Sequence, residues 1–118
     1  MAKAALTRGL FVLSLAVVVL TPRASSSQDA ASIKRGAEIY AAQKCQMCHS
    51  IGGKGSKVSP LDGVGAKLTA ADLRTWITEP VDMAAKAKST KKPPMPKKWA
   101  ALPPADVDAL VAYMQSLK

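Results

Sequence analysis

Three stretches of the chain repeat apolar residues with a helical period. From residue 29 to about 47, Ile33, Ala37, Tyr40 and Ala41 share one face while Lys34, Arg35 and Glu38 lie outside it, which predicts a first helix. Gly36 lowers the stability of that helix, so it either permits close approach of another helix or is simply tolerated. Thr69-Ala70-Ala71-Asp72 is a capping box opening a second helix that carries Leu73, Trp76 and Ile77 and closes at Pro80. Pro104 suits the first turn of a third. Asp106 and Asp108 lie near its positive end, and Val107, Leu110, Val111, Met114 and Leu117 form its apolar stripe. Between these helices, residues 50–67 are punctuated by six glycines and prolines and read as a loop. Residues 81–103 form a second, lysine-rich loop that Trp99 and Leu102 tuck down. With no repeat and no long strand, the fold class is all-α.

Residues 1–27 have a different pattern. Lys3 and Arg8 precede the apolar run Leu10–Leu20, and the small residues Ala24, Ser25, Ser26 and Ser27 follow. That order fits a secretory signal peptide, cut before Ser27 or Gln28; the alternative is an uncleaved anchor. The run is short against the ~20 residues that span a bilayer. Domain 28–118 would then be exported, to the periplasm. The segment removes Lys3, Arg8 and Arg23 from the 17 basic residues and none of the eight acidic ones, leaving a charge of +6. A domain this small needs a staple, and with five aromatic residues in the whole chain an apolar cofactor would complete its core.

Cys45-Gln46-Met47-Cys48-His49 supplies the staple. It is the C-x-x-C-H haem c attachment signature. Two thiols at this spacing reach the two vinyl groups along one porphyrin edge and bond to them as thioethers, and the adjacent imidazole binds iron. A thiol–disulfide redox motif would follow a strand in a βαβ context. A structural zinc site needs four ligands, and the chain has two cysteines and one histidine. A disulfide between the two cysteines would leave His49 unexplained.

A low-spin electron carrier needs a second axial ligand, and without a second histidine a methionine is the natural one. Met47 lies inside the attachment turn and Met114 in the final helical stripe, which leaves Met83 and Met95. Met95 sits in Pro93-Pro94-Met95-Pro96, where fixed φ angles make a stiff strap; Met83 follows Pro80 and can pack beside the haem. A thioether favours ferrous iron, so the potential should exceed that of a bis-histidine haem.

Residues 32–118 resemble a small class I cytochrome c domain. The likeness rests on Gly36 with Tyr40, Cys45-x-x-Cys48-His49, Pro60-Leu61, Gly63-Val64-Gly65, Leu73-x-x-Trp76-Ile77-x-x-Pro80, Met95-Pro96 and Leu110-Val111-Ala112-Tyr113-Met114. It implies three to four helices around one covalent haem c, with the first and last helices crossing near Gly36 and Tyr113. It also implies Trp76 against the haem, and the Pro60 carbonyl accepting a hydrogen bond from the non-ligating nitrogen of His49. Pro103-Pro104 departs from the Ser or Thr cap frequent in the family. The implied function is electron transport by iron cycling, without substrate chemistry, either as a free carrier or as the haem subunit of a dehydrogenase or oxidase complex. An open iron site, as in a ligand sensor or a peroxidase, is the third reading, and the lack of a second histidine weakens it. In this fold Lys86, Lys88, Lys91, Lys92, Lys97 and Lys98 would border the haem edge and steer acidic redox partners; the alternative is a solvated surface. Nucleic-acid binding is not expected, because the aromatic stacking pattern is missing.

Overall fold

The computed structural model describes residues 24–118, so the signal-peptide reading of residues 1–27 lies outside them except for residues 24–27, which fall in the first helix. Five helices carry the fold: α1 (Ala24–Ala42), α2 (Val64–Lys67), α3 (Ala70–Thr78), α4 (Pro80–Lys86) and α5 (Pro104–Ser116). α1 ends five residues before the expected boundary. Lys44 turns left-handed at φ 57°, and a separate 3-10 turn, Cys45–Met47, carries the attachment motif. The buried face of α1 is also rotated from the expected one: Gly36 and Ile39 are buried and Ala41 is exposed.

That rotation follows from Gly36. A Cβ at this position would collide with the Ala109 carbonyl and the Tyr113 side chain, so glycine lets the backbones of α1 and α5 meet. Close approach, not tolerance, is its role. Next to the crossing, the Tyr40 and Tyr113 rings pack edge to face with centroids 5.8 Å apart, a favoured aromatic geometry. Ile39 joins Leu73, Ile77, Val107, Leu110, Val111 and Met114 in the core, so α5 is the post against which α1 and α3 pack. Arg35 on α1 pairs with Asp106 at 3.2 Å, and Arg74 on α3 pairs with Asp108, fastening the start of α5 from both neighbours. α5 has no side-chain cap at Pro103; proline at its first turn leaves one fewer N–H to satisfy. The cap of α3 forms as expected, with Thr69 Oγ1 accepting from the Asp72 N–H at 3.1 Å.

The two expected loops contain more structure. Residues 49–60 hold a small sheet of order β2-β1-β3, where β1 is His49–Ile51, β2 Lys54–Gly55 and β3 Ser59–Pro60. β1 runs antiparallel to β2 and parallel to β3. Gly52 and Gly53, at φ 58° and 77°, make the β1–β2 turn, which needs two positive φ angles in succession. In the second loop, Pro80 both ends α3 and begins α4, at the first helical position. Met83 is buried on α4 at 6 % exposure. A 3-10 helix at Lys97–Ala101 packs against α3 and brings the chain back to α5.

Candidate functional site

One cavity of about 660 Å³ opens between the attachment turn, the small sheet, α3 and the Lys88–Pro96 strap. Its size falls within the ~300–1,000 Å³ of sites that enclose a small molecule or cofactor. Cys45, Cys48 and His49 line one part of it. Leu61, Val64, Leu68, Leu73, Ile77 and Leu110 supply apolar walls, and Trp76, half-buried on α3, adds an aromatic one.

His49 is held in a defined tautomer. Its Nδ1 lies 2.9 Å from the Ser59 carbonyl oxygen, which only accepts, so Nδ1 carries the proton and Nε2 keeps the lone pair a metal needs. The parallel pairing of His49 with Ser59 in β1 and β3 fixes this contact. The acceptor is therefore Ser59, correcting the expectation of Pro60. Pro60 pairs one step further along, opposite Ser50, and still lines the cavity. The sequence carried no sign of Ser59, because a two-residue strand has no readable periodicity.

The two thiols are not bridged to each other. Burial pushes the Cys45 thiol above its usual range, outweighing the lowering by a backbone hydrogen bond and by Lys98. Redox-active C-x-x-C motifs instead lower a thiol pKa, and this one sits on a 3-10 turn before a short strand. Among the described residues no cluster of three His, Cys, Asp or Glu side chains could hold a metal ion. Disulfide exchange and structural zinc are both poor fits to this turn.

Of the two candidate methionines, Met95 lines the cavity, half-buried on its strap, whereas Met83 is buried away from it. Met114 borders the cavity from α5 but belongs to the core cluster, as its stripe predicts. Two polar atoms fit an incoming group. Tyr40 Oη and Trp99 Nε1 are buried without hydrogen-bond partners, and both side chains line the cavity. An unmet buried donor costs about 1–3 kcal/mol, so a group with acceptor atoms in this space would relieve it. Burial pushes the Tyr40 phenol up to about 12, with Cys45, Tyr113 and Asp62 adding to the rise. A flat, largely apolar cofactor with a few polar atoms, bonded to two thiols and bound by one imidazole, fits this lining.

Of the six lysines expected at the haem edge, Lys86 ends α4 and does not line the cavity, and the other five divide into two groups. Lys88, Lys91 and Lys92 line the cavity mouth, joined by Lys44, which the sequence reading did not include. Lys97 is paired with Glu79 at 2.8 Å, and Lys98 lies over the Trp99 ring, 4.8 Å from its centroid. The latter two hold the strap down.

The family model "Cytochrome c" matches residues 33–118, which span the attachment turn, the sheet, the strap and α5. No curated protein and no solved structure matches the chain. With two free thiols and a tautomer-locked histidine on one apolar cavity, and a family match over most of its length, the chain belongs to the cytochrome c family and binds one covalent haem c through Cys45 and Cys48.

Proposed function

We propose that this protein is an exported, periplasmic monohaem electron carrier with His49 and Met95 as axial ligands. The observation that carries the ligation is that His49, with Nε2 left available, and Met95, on a separate strap, line the same cavity as both thiols. The bound haem supplies a one-electron couple between ferric and ferrous iron. The protein's own groups set the conditions for that couple. Cys45 and Cys48 would hold the porphyrin through thioether bonds, and the Ser59 carbonyl orients His49 and would strengthen its donation. The prolines flanking Met95 limit strap movement between the two oxidation states. The apolar walls of α3 and α5 keep water from the iron. The lysines at the mouth would steer acidic redox proteins toward it, with association weakening as salt rises.

The test is absorbance of the purified holoprotein in both oxidation states, with a mass measurement of haem attachment. A low-spin spectrum with a methionine–iron charge-transfer band in the oxidised form, lost in Met95→Ala, is expected. A high-spin ferric spectrum, or a band that survives in Met95→Ala, would overturn the ligation.

A further inference from the structure

Lys97 and Lys98 are neighbours in sequence and both are exposed, yet the fold treats their charges differently. The Lys97 ammonium lies 2.8 Å from the Glu79 carboxylate, so a positive and a negative charge offset each other there. Lys98 has no carboxylate partner among the described residues. Its Nζ sits over the Trp99 ring instead, 4.8 Å from the centroid, within the ~6 Å at which the negative ring face attracts a cation. Trp99 connects that ammonium to the cofactor. Its side chain lines the haem cavity and its Nε1 is buried, whereas Lys98 itself does not line the cavity. One aromatic ring therefore stands between an uncompensated cation and the space the porphyrin fills. The charge is felt at the attachment turn as well: burial raises the Cys45 thiol, and a backbone hydrogen bond and Lys98 pull it back. Lys44, Lys88, Lys91 and Lys92 line the opening, but among the described residues no carboxylate or ring holds their ammonium groups in place.

We propose that Lys98, held over Trp99, tunes the haem: its charge disfavours ferric iron relative to ferrous iron and raises the reduction potential. Oxidation leaves one more positive charge on the cofactor, and a fixed cation nearby repels it. The indole keeps water out of the line between the two charges, so the repulsion is weakened less than it would be across solvent. Lys97 adds little, because Glu79 offsets it. Lys98 acts through space and touches neither iron nor porphyrin. The idea rests on the carrier reading for a reversible one-electron couple, and the methionine ligand does not enter it.

Spectroelectrochemistry of the holoproteins is the test. Lys98→Gln should lower the ratio of ferrous to ferric protein at a fixed applied potential by about two- to threefold, which is ~18–28 mV at ~59 mV per tenfold. Lys98→Glu should shift the potential about twice as far, since it changes the charge by two steps. Lys98→Arg keeps the charge and stacks on the same ring, and should match the wild type. Lys86→Gln removes one charge from the end of α4, outside the cavity, and should move the potential less. At about 1 M salt, where the screening length is ~3 Å, the Lys86→Gln shift should vanish and part of the Lys98→Gln shift should remain. A Lys98→Gln shift no larger than that of Lys86→Gln overturns the proposal. So does a Lys98→Glu shift no larger than that of Lys98→Gln, which would mean lost packing rather than lost charge. A wild type with no reversible couple sinks the carrier reading, whereas a reversible couple indifferent to the charge at residue 98 sinks this proposal alone.

Discussion

Met83 and Met95 are twelve residues apart, and the structure separates what each loses on truncation. Met83 is 6 % exposed on α4 and does not reach the cavity. Met83→Ala therefore removes buried volume, at a cost of about 2–5 kcal/mol. In a domain of this size that lowers the melting temperature by roughly 8–40 °C. Its oxidised spectrum should match the wild type, because nothing that faces the cavity has changed. Met95 is half-buried on a strap held by the Lys97–Glu79 pair and by Trp99. Met95→Ala loses little packing but, on the proposed ligation, removes a soft ligand that favours ferrous iron. A tenfold change in relative affinity for the two oxidation states is ~59 mV for a one-electron couple. Loss of the thioether should thus lower the potential by on the order of 100 mV or more, and abolish the charge-transfer band. Thermal denaturation with absorbance and voltammetry on the same two holoproteins reads all of these quantities. A Met83→Ala protein without the band, or a Met95→Ala protein with an unchanged potential, would refute the assignment.

Four further outcomes are expected. Gly36→Ala should destabilise by about 1–3 kcal/mol through overpacking, read by chemical denaturation; an unchanged midpoint would mean that α1 and α5 can separate without cost. Carbon monoxide should bind the ferrous wild type slowly and Met95→Ala rapidly, as flash photolysis would show. Because the folded Tyr40 phenol is raised from 10.0 to about 12, the unfolded chain loses that proton first. Stability should therefore decline as pH rises from about 10 toward 12, and Tyr40→Phe should flatten the decline in an alkaline unfolding series. Thr69→Ala should cost about 1 kcal/mol through loss of the α3 cap, with the spectrum unchanged.

The sequence carried the parts of this site that depend on short spacing or on long periodicity. Cys45, Cys48 and His49 stand in one motif, and α3 and α5 are long enough for their stripes and caps to be read. Gly36 was legible as a candidate for close contact, and the Ala109 carbonyl decides the matter. What escaped was short or tertiary. Three strands of two or three residues have no usable period, so Ser59 could not be distinguished from its neighbour Pro60 as the partner of His49. Pro80 reads in the sequence as a stop, whereas it also starts α4, because proline fits a first turn as well as it ends a helix. Lys44 lies far from the strap in sequence and joins its lysines only once α1 has ended in a left-handed residue.

The small sheet also determines where this chain could change length. His49 and Ser59 face each other only while β1 and β3 keep their register, so one residue added between Lys57 and Ser59 would carry the carbonyl away from the imidazole. The Gly52-Gly53 tip lies on the other side of β1, and extra residues there would extend into solvent at the cost of the Gly52 N–H bond to Asp62. Variation in loop length among related domains should therefore concentrate at the hairpin tip, with the stretch leading into β3 held constant.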